Sequence, residues 1–362
     1  MAMALGKIAR LVTGQVWRLT GVVLAVVAVL AGLFLFIDNQ HDVGVGQFNV
    51  SDALVLALLL LPGQLVVFMP IAALLGALLG LGQLGRESAF IIARSVGFSP
   101  WRLAQAAGLA GVVLASVSLL AGELVNPALT RFADQWRAEA KGESVSQLQG
   151  ATVWVRDGAR FLRFARPAQA DQPGGVQLFE FATVDAERQE LTTLASAQSG
   201  SVNEAGLWQL NQVDALALDG THVTRTQLAQ YQVQGTAYRG VLTLAAVDPD
   251  GLPLWDIWRQ IKFLTQNGQT ARALQMSLHN RLAHALATIV LTMLAVVFVL
   301  GVQRSGQGVR LAQGVAIGLV YLLLTRTIES GGTVYQWSPL VVAWLPLLLL
   351  SCVTVVALWR AR

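Results

Sequence analysis

The sequence predicts an α-helical membrane protein of six transmembrane helices, three on either side of an inserted β-domain of jelly-roll-like type. Three observations point there. Of the 362 residues 54% are hydrophobic and only 13% charged, with a mean hydropathy of +0.57, too apolar for one or two soluble domains. Apolar runs long enough to cross a bilayer, about 20 residues each, recur at 17–37, 53–82, 103–125, 282–302, 308–328 and 338–359. From Ser144 to Ala246 the pattern changes to alternation with frequent turn residues, as short strands joined by hairpins require.

The first run follows Lys7, Arg10 and Arg18, which would also suit a signal peptide. It is longer than a signal core and runs into Ile37–Asp38–Asn39 without a small-x-small cleavage pattern, so it is read as an uncleaved span. The second contains Pro62, Gly63 and Pro70, which predicts a kinked or tilted helix with ends beyond the hydrocarbon core. After the third, 128–143 reads as a helical continuation. Val153 and Val155 then alternate, Asp157–Gly158 marks a hairpin turn, and Phe161–Leu162–Arg163–Phe164 is the returning strand. Pro173–Gly174–Gly175 precedes Val176–Gln177–Leu178, and Trp208–Gln209–Leu210–Asn211 alternates after Glu204–Ala205–Gly206, a spacing that suits a sandwich or jelly roll. Asp248–Pro249–Asp250–Gly251 forms a turn, and 254–280 reads as an amphipathic helical return to the fourth span. The expected domains are 1–125 with a cytoplasmic helix at about 84–98, then 126–280 with the β-domain and its helical connections, then 281–362.

Cations in the short loops set the orientation. Lys7, Arg10 and Arg18, then Arg86, Arg94 and Arg102, then Arg304 and Arg310, and finally Arg360 and Arg362 all fall on one side. Loops 38–52 and 329–338 hold no Lys or Arg, only Asp38, Asp42, Asp52 and Glu329. Both termini are therefore expected in the cytoplasm and the β-domain outside. The net charge of +4 follows from this asymmetry; no segment concentrates cations and aromatics as a nucleic-acid face would. The single cysteine, Cys352, sits in an apolar run and excludes a disulfide framework.

No catalytic constellation assembles. His279 and His284 are five apart, not the four of a zinc helix, His41 and His222 stand alone, and neither a nucleophile elbow nor a phosphate-binding loop is present. No catalytic residue, metal or cofactor is expected on this chain. Ionisable residues are nearly absent from the spans, because a charge in hydrocarbon is costly. Arg326 and Glu329, three apart at the outer end of the fifth span, either pair with each other or leave the arginine for an anionic headgroup. The segment from Arg86 through Glu87 and Ser88 is amphipathic: Ala89, Ile92, Ala93 and Val96 recur at i, i+3, i+4, i+7, Arg94 is polar, Gly97 is a C-cap and Pro100 opens the next element. Such a helix can dock into a groove on an ATPase, or lie on lipid as a plain connector.

The run from Phe68 to Gly82, with the segment ending Gly97–Phe98–Ser99, resembles the second span and coupling helix of the LptF/LptG permease family of lipopolysaccharide export, on its G-type side. The resemblance extends to Gly122–Glu123–Leu124–Val125–Asn126–Pro127, Asp157–Gly158, Trp208, Val247–Asp248–Pro249–Asp250, and Val334–Tyr335 with Pro339 and Pro346. It implies a half-permease of an ABC transporter in the inner membrane of a Gram-negative bacterium, with a periplasmic jelly roll. Implied partners are an F-type permease subunit, an LptB-like ATPase dimer that uses the ATP, and LptC-like and LptA-like bridge proteins; the implied substrate is lipopolysaccharide bound for the outer membrane. By the same resemblance the first and fifth spans gate the cavity, so Phe34, Leu35, Leu319 and Leu323 are candidate lipid contacts, Phe68 faces the cavity, and Arg86, Glu87, Ser88, Ala89, Ile92, Arg94 and Gly97 couple to the ATPase. The sequence departs from the family where Ala89 replaces a usual Glu, and where basic residues near the end of the first span give way around Leu35, His41 and Asp42. Arg137 or Arg326 can substitute for those cations; Arg281 keeps another, and Ala285 replaces a usual Pro. The other transport class considered is a lipoprotein- or peptide-type ABC permease, whose domain typically follows the first span; here three spans precede it.

Overall fold

A computed structural model of the chain describes residues 2–86, 99–141, 152–157, 160–165, 174–185, 188–202, 207–219, 222–234, 251–266, 269–301 and 307–360. It divides into two compact units: residues 1–43, 50–133 and 275–362 form one, and residues 44–49 and 134–274 the other.

The first unit is helical. Helix α1 (Ala2–Asp38) ends in a short 3₁₀ turn, Asn39–Asp42, where Asn39 Nδ2 donates to the Leu35 carbonyl at 2.7 Å. Helix α2 (Val50–Arg86) carries Pro62 and Pro70 in its interior, which membrane helices tolerate because neighbours re-satisfy the freed carbonyls. Helix α3 (Pro100–Leu120) starts as expected at Pro100, with Ser99 as N-cap accepting from the Arg102 amide. A π-helical turn, Ala121–Val125, joins it to α4 (Asn126–Ala140), so the helical continuation of the third span is present. Helices α6 (Arg272–Gly301), α7 (Gln307–Val334) and α8 (Pro339–Arg360) follow the second unit. Among the described residues six helical stretches are long and apolar enough to cross a membrane: Ala9–Asp42, Val50–Gly85, Pro100–Arg137, Arg272–Leu300, Leu311–Gly332 and Pro339–Arg360. Their outward faces, such as Val22, Val26, Val29 and Leu33 on α1 or Leu109, Val113 and Val117 on α3, are exposed apolar side chains of an extent that water does not permit. Exposed Trp17, Trp101 and Trp359 accompany Arg18, Arg102 and Arg360, while Tyr335 and Trp337 stand at the opposite ends. Aromatics collect in this way at the two bilayer interfaces.

Glycines set how closely these helices approach. A Cβ at Gly76 would lie 2.5 Å from the Thr20 backbone, and one at Gly80 3.1 Å from Gln15, so α1 rests directly on the α2 backbone. Gly314 and Gly318 of α7 receive Leu75, Leu78 and Ile71 of α2, Gly111 of α3 meets Ile289 and Thr292 of α6, and Gly332 of α7 meets Val342 of α8. Two of these sites have small-xxx-small spacing, the usual means of helix association in lipid.

The second unit contains one antiparallel sheet whose strands pair in sequence order: β1 (Thr152–Asp157), β2 (Arg160–Ala165), β3 (Gly174–Asp185), β4 (Arg188–Val202), β5 (Leu207–Asp219) and β6 (His222–Gln234). The jelly-roll-like domain is thus a meander among the described residues, and its last four strands are longer than the short strands expected. Asp157 pairs with Arg160, which places the first hairpin at the expected turn. Inward-facing Leu162, Phe164, Val176, Leu178, Ala195, Ala197, Trp208 and Leu210 form the core, with Phe164 and Trp208 ring centroids 6.0 Å apart. At Gln212 the backbone takes φ +53°, so that Leu210 and Val213, three apart, both face inward.

Helix α5 (Leu254–Gln266) places Phe263 in that core. The single helical return expected over 254–280 is corrected: α5 stops at Gln266 and a new helix begins at Arg272. The Gln269 amide donates to the Leu264 carbonyl at 2.8 Å and so satisfies a carbonyl at the end of the helix. Loop residues 44–49 also belong to this unit, through the Gln47 amide on the Ala140 carbonyl at 2.8 Å. The turn expected at Asp248–Pro249–Asp250 lies outside the described residues.

Replacing Gly76 by Ala should destabilise the helical unit by about 1–3 kcal/mol through overpacking, visible as a lower melting temperature in detergent. Gly21→Ala, with nothing within 4 Å of the new methyl, should melt like the parent. Equal melting of the two variants would show that α1 and α2 do not meet at Gly76.

Candidate functional site

Between α1 and α2 lies a cavity of about 570 Å³ lined by Val27, Leu30, Ala31, Phe34, Leu35, Asp38, Gln64 and Phe68. The six α1 residues recur at helical spacing and so share one face. Three expected contacts, Phe34, Leu35 and Phe68, meet here. Phe34 is 70% exposed, so the cavity reaches the outer surface of α1. Sequence reasoning missed Asp38 and Gln64. Among the described residues that line the cavity Asp38 is the single charged one, and none is Lys or Arg. Its chemistry therefore favours hydrocarbon, at about 0.8 kcal/mol for each methylene taken from water, and among the described lining residues a phosphate would meet no cation, only the Gln64 amide as a donor.

Leu319 and Leu323 do not line this cavity. They are exposed on α7, four residues apart, and Arg326 continues the stripe three residues on. Arg326 Nη1 lies 3.5 Å from Glu329, and Glu329 also accepts from Asn280 Nδ2 at 3.0 Å. The expected pairing is present, yet the Arg326 side chain remains 65% exposed. Arg137 is half-buried on α4, among residues of the second unit. Arg86 is the last residue of α2, and Glu87, Ser88, Ala89, Ile92, Arg94 and Gly97 lie outside the described residues.

Polar contacts tie four helices together at the end of the bundle opposite Arg18, Arg102 and Arg360. Arg281 of α6 donates to Glu123 at 3.0 Å, each side chain only 19% exposed. Glu123 sits on the π-helical turn after α3, a local unwinding that often marks a functional position. Asn280 reaches α7, and Trp344 Nε1 of α8 donates to His279 Nδ1 at 3.4 Å. Arg281, Asn280 and His279 thus form one turn of α6 with partners on α3, α7 and α8.

On the sheet an open groove of about 990 Å³ runs across β3 to β6, lined by Ser196, Gln198, Gln212, Asp214 and Gln227 as well as Val213 and Leu228. Beside it Arg225 Nε donates to Asp214 at 2.8 Å. This hydrogen bond holds the Asp214 carboxyl below the usual carboxylate range and raises Arg225. The pair is open to water and adds little to stability.

The sequence model of the lipopolysaccharide export system permease LptF/LptG matches residues 10–360. The chain belongs to the LptF/LptG family. It is 29% identical over 322 residues to the lipopolysaccharide export system permease protein LptG of Escherichia coli K12, covering 88% of each chain. The LptG of Escherichia coli O6:H1 gives the same figures. Against the LptG of Haemophilus influenzae strain Rd the identity is 25% over 335 residues, 91% of this chain and 92% of that one. As an LptF/LptG member with six apolar helices, the chain is a multi-pass inner-membrane component of a transport system.

Replacing Arg281 by Met should remove the ion pair of a largely buried Glu123 and cost about 3 kcal/mol of stability. The double variant Glu123→Leu/Arg281→Met should recover most of that loss. A thermal melt that ranks the double variant no higher than the single would separate the two residues.

Proposed function

We propose that this chain is a permease subunit that takes lipopolysaccharide from the inner membrane and passes it to a periplasmic protein bridge leading to the outer membrane. In this reading it pairs with an F-type permease subunit, an LptB-like ATPase dimer supplies the ATP chemistry, and LptC-like and LptA-like proteins receive the lipid. Both termini are cytoplasmic and the sheet domain is periplasmic, as the loop cations favour.

The observation that carries the proposal is the apolar cavity at Phe34, Leu35 and Phe68, with Phe34 at its exposed edge, in a chain of this family. A lipid with several acyl chains leaves the bilayer only where apolar surface replaces its neighbours. Leu319 and Leu323, exposed on α7, are the second set of proposed contacts. Phosphate recognition falls to Arg326 or Arg137, since none of the described residues lining the cavity is a cation. The segment 87–98 is the proposed ATPase contact, with Glu87 nearest to the carboxylate that Ala89 replaces. A lipoprotein- or peptide-type permease is disfavoured by the three spans before the sheet domain and by a family match that runs from residue 10 to residue 360.

Photo-crosslinkers placed at Leu35 and Leu319 should capture glycolipid in living cells. Labelling of phospholipid alone would count against the substrate. In a Cys352→Ser background, a cysteine at exposed Gln230 of β6 should react with a membrane-impermeant reagent added from the periplasm. Reaction only after the cytoplasm is opened would reverse the orientation.

A further inference from the structure

Helix α5 has two unlike faces. Ile257, Gln260 and Phe263 are buried, Phe263 in the core of the sheet. On the other side Trp255 and Trp258 are 60% and 50% exposed and stack with ring centroids 5.5 Å apart. The Arg259 guanidinium lies 5.1 Å from the centre of the Trp255 ring, and the Lys262 ammonium 5.7 Å from that of Trp258. Residues 255, 258, 259 and 262 follow i, i+3, i+4, i+7, so indoles and cations form one continuous ridge.

Two adjacent indoles facing water waste a large apolar area. The chemistry of the ridge specifies what covers it. An indole has an apolar body and an N–H donor and settles at the headgroup level of a bilayer, while Lys and Arg stems lie along apolar surface and lift their charges to lipid phosphates. An amphipathic helix with tryptophans flanked by cations is the form that lies in a membrane surface. The covalent path agrees: α5 ends at Gln266, and the helix that becomes the fourth span begins at Arg272. That connection reaches about 20 Å at full stretch, and the helical residues 272–281 ahead of the fourth apolar run add about 15 Å, so the tether keeps the ridge within about 35 Å of lipid and lets it reach the surface.

We infer that α5 is an interfacial helix, with Trp255 and Trp258 in the headgroup layer of an anionic phospholipid leaflet and Arg259 and Lys262 on its phosphates. It moors the sheet domain to the membrane surface independently of any transported lipid. The inference depends on the chain being membrane-embedded and not on its substrate.

The full chain with Cys352→Ser carries one fluorophore on Thr265→Cys, seven residues beyond Trp258, and is reconstituted into phosphatidylcholine–phosphatidylglycerol nanodiscs. A headgroup-proximal spin-labelled lipid should quench the label strongly, and aqueous iodide weakly. Trp255→Ser/Trp258→Ser should cut lipid quenching at least twofold and raise iodide quenching. Arg259→Glu/Lys262→Glu should do the same in discs with phosphatidylglycerol and have a smaller effect in discs of phosphatidylcholine alone. Iodide quenching of the parent chain with no lipid effect would overturn the inference, because the helix would then stand in water. Protection from both quenchers would overturn it as well, with a protein as the covering surface. The parent measurement decides by itself, so a variant that fails to fold hides nothing, and because it reads proximity and not transport its failure leaves the exporter reading standing.

Discussion

The backbone contact between α1 and α2 at Gly76 and Gly80 governs the rest of the helical unit. Lipid tails are as apolar as leucine, so the hydrophobic effect does not press these helices together; close van der Waals approach must. That approach needs hydrogen in place of a side chain where Thr20 and Gln15 lie against α2. Gln15 Nε2 also donates to Gln83 Oε1 at 2.9 Å and fixes the same end of the pair. Further along α2 the facing positions are Phe68 and Gln64, whose side chains forbid such an approach, and there the two helices enclose the cavity. A tight end and an open end follow from residue size along one interface. Because α7 seats Gly314 and Gly318 on the opposite side of α2, the same helix carries both the cavity wall and the support for Leu319 and Leu323.

Electrostatics organise the other end. Arg281 and Glu123 are 158 positions apart in the chain yet largely shielded together. Breaking such a pair costs more than its net attraction suggests, so the contact ties the close of the third span to the start of the fourth. Asn280 and His279, adjacent on the same turn, extend the tie to α7 and α8. Arg326 is restrained by Glu329 without being covered, and so keeps donors free for solvent or an anion.

What could be read from the sequence was what depends on neighbours along the chain. Apolar run length gave the spans, a Ser99–Pro100 start gave the beginning of α3, and Asp157–Gly158 gave the first hairpin. Phe34, Leu35 and Phe68 came from resemblance, and the geometry then placed all three on one cavity. Contacts between distant segments were not legible. The spacing Gly76-x-x-x-Gly80 stands in the sequence, but nothing local says that Thr20 is its partner. Glu123 and Arg281 each look like an ordinary charge at the end of a span. Asp38 read as loop because it ends an apolar run, although α1 extends through it into the cavity lining. The break after Gln266 was concealed by amphipathic periodicity that continues on both sides of Asn267–Gly268, and the length of the later strands by polar residues on their outer face.

The charge pattern of the cavity separates two parts of lipid recognition. A lipid that carries acyl chains on a phosphorylated headgroup presents hydrocarbon and anion at different depths. The α1–α2 cavity suits the first: its described lining is mostly apolar, and the one charge among those residues, Asp38, repels phosphate. In the proposed reading acyl-chain selection and phosphate recognition reside on different elements, the former between α1 and α2, the latter at an exposed cation such as Arg326 or on a partner subunit. An apolar pocket distinguishes ligands by only about 1–3 kcal/mol per methylene, so chain count and length are read coarsely. In the same proposed reading the sharper discrimination between a phosphorylated glycolipid and bulk lipid comes from a cation outside the cavity, and Arg326, held by Glu329 yet exposed, is the proposed source of it on this chain.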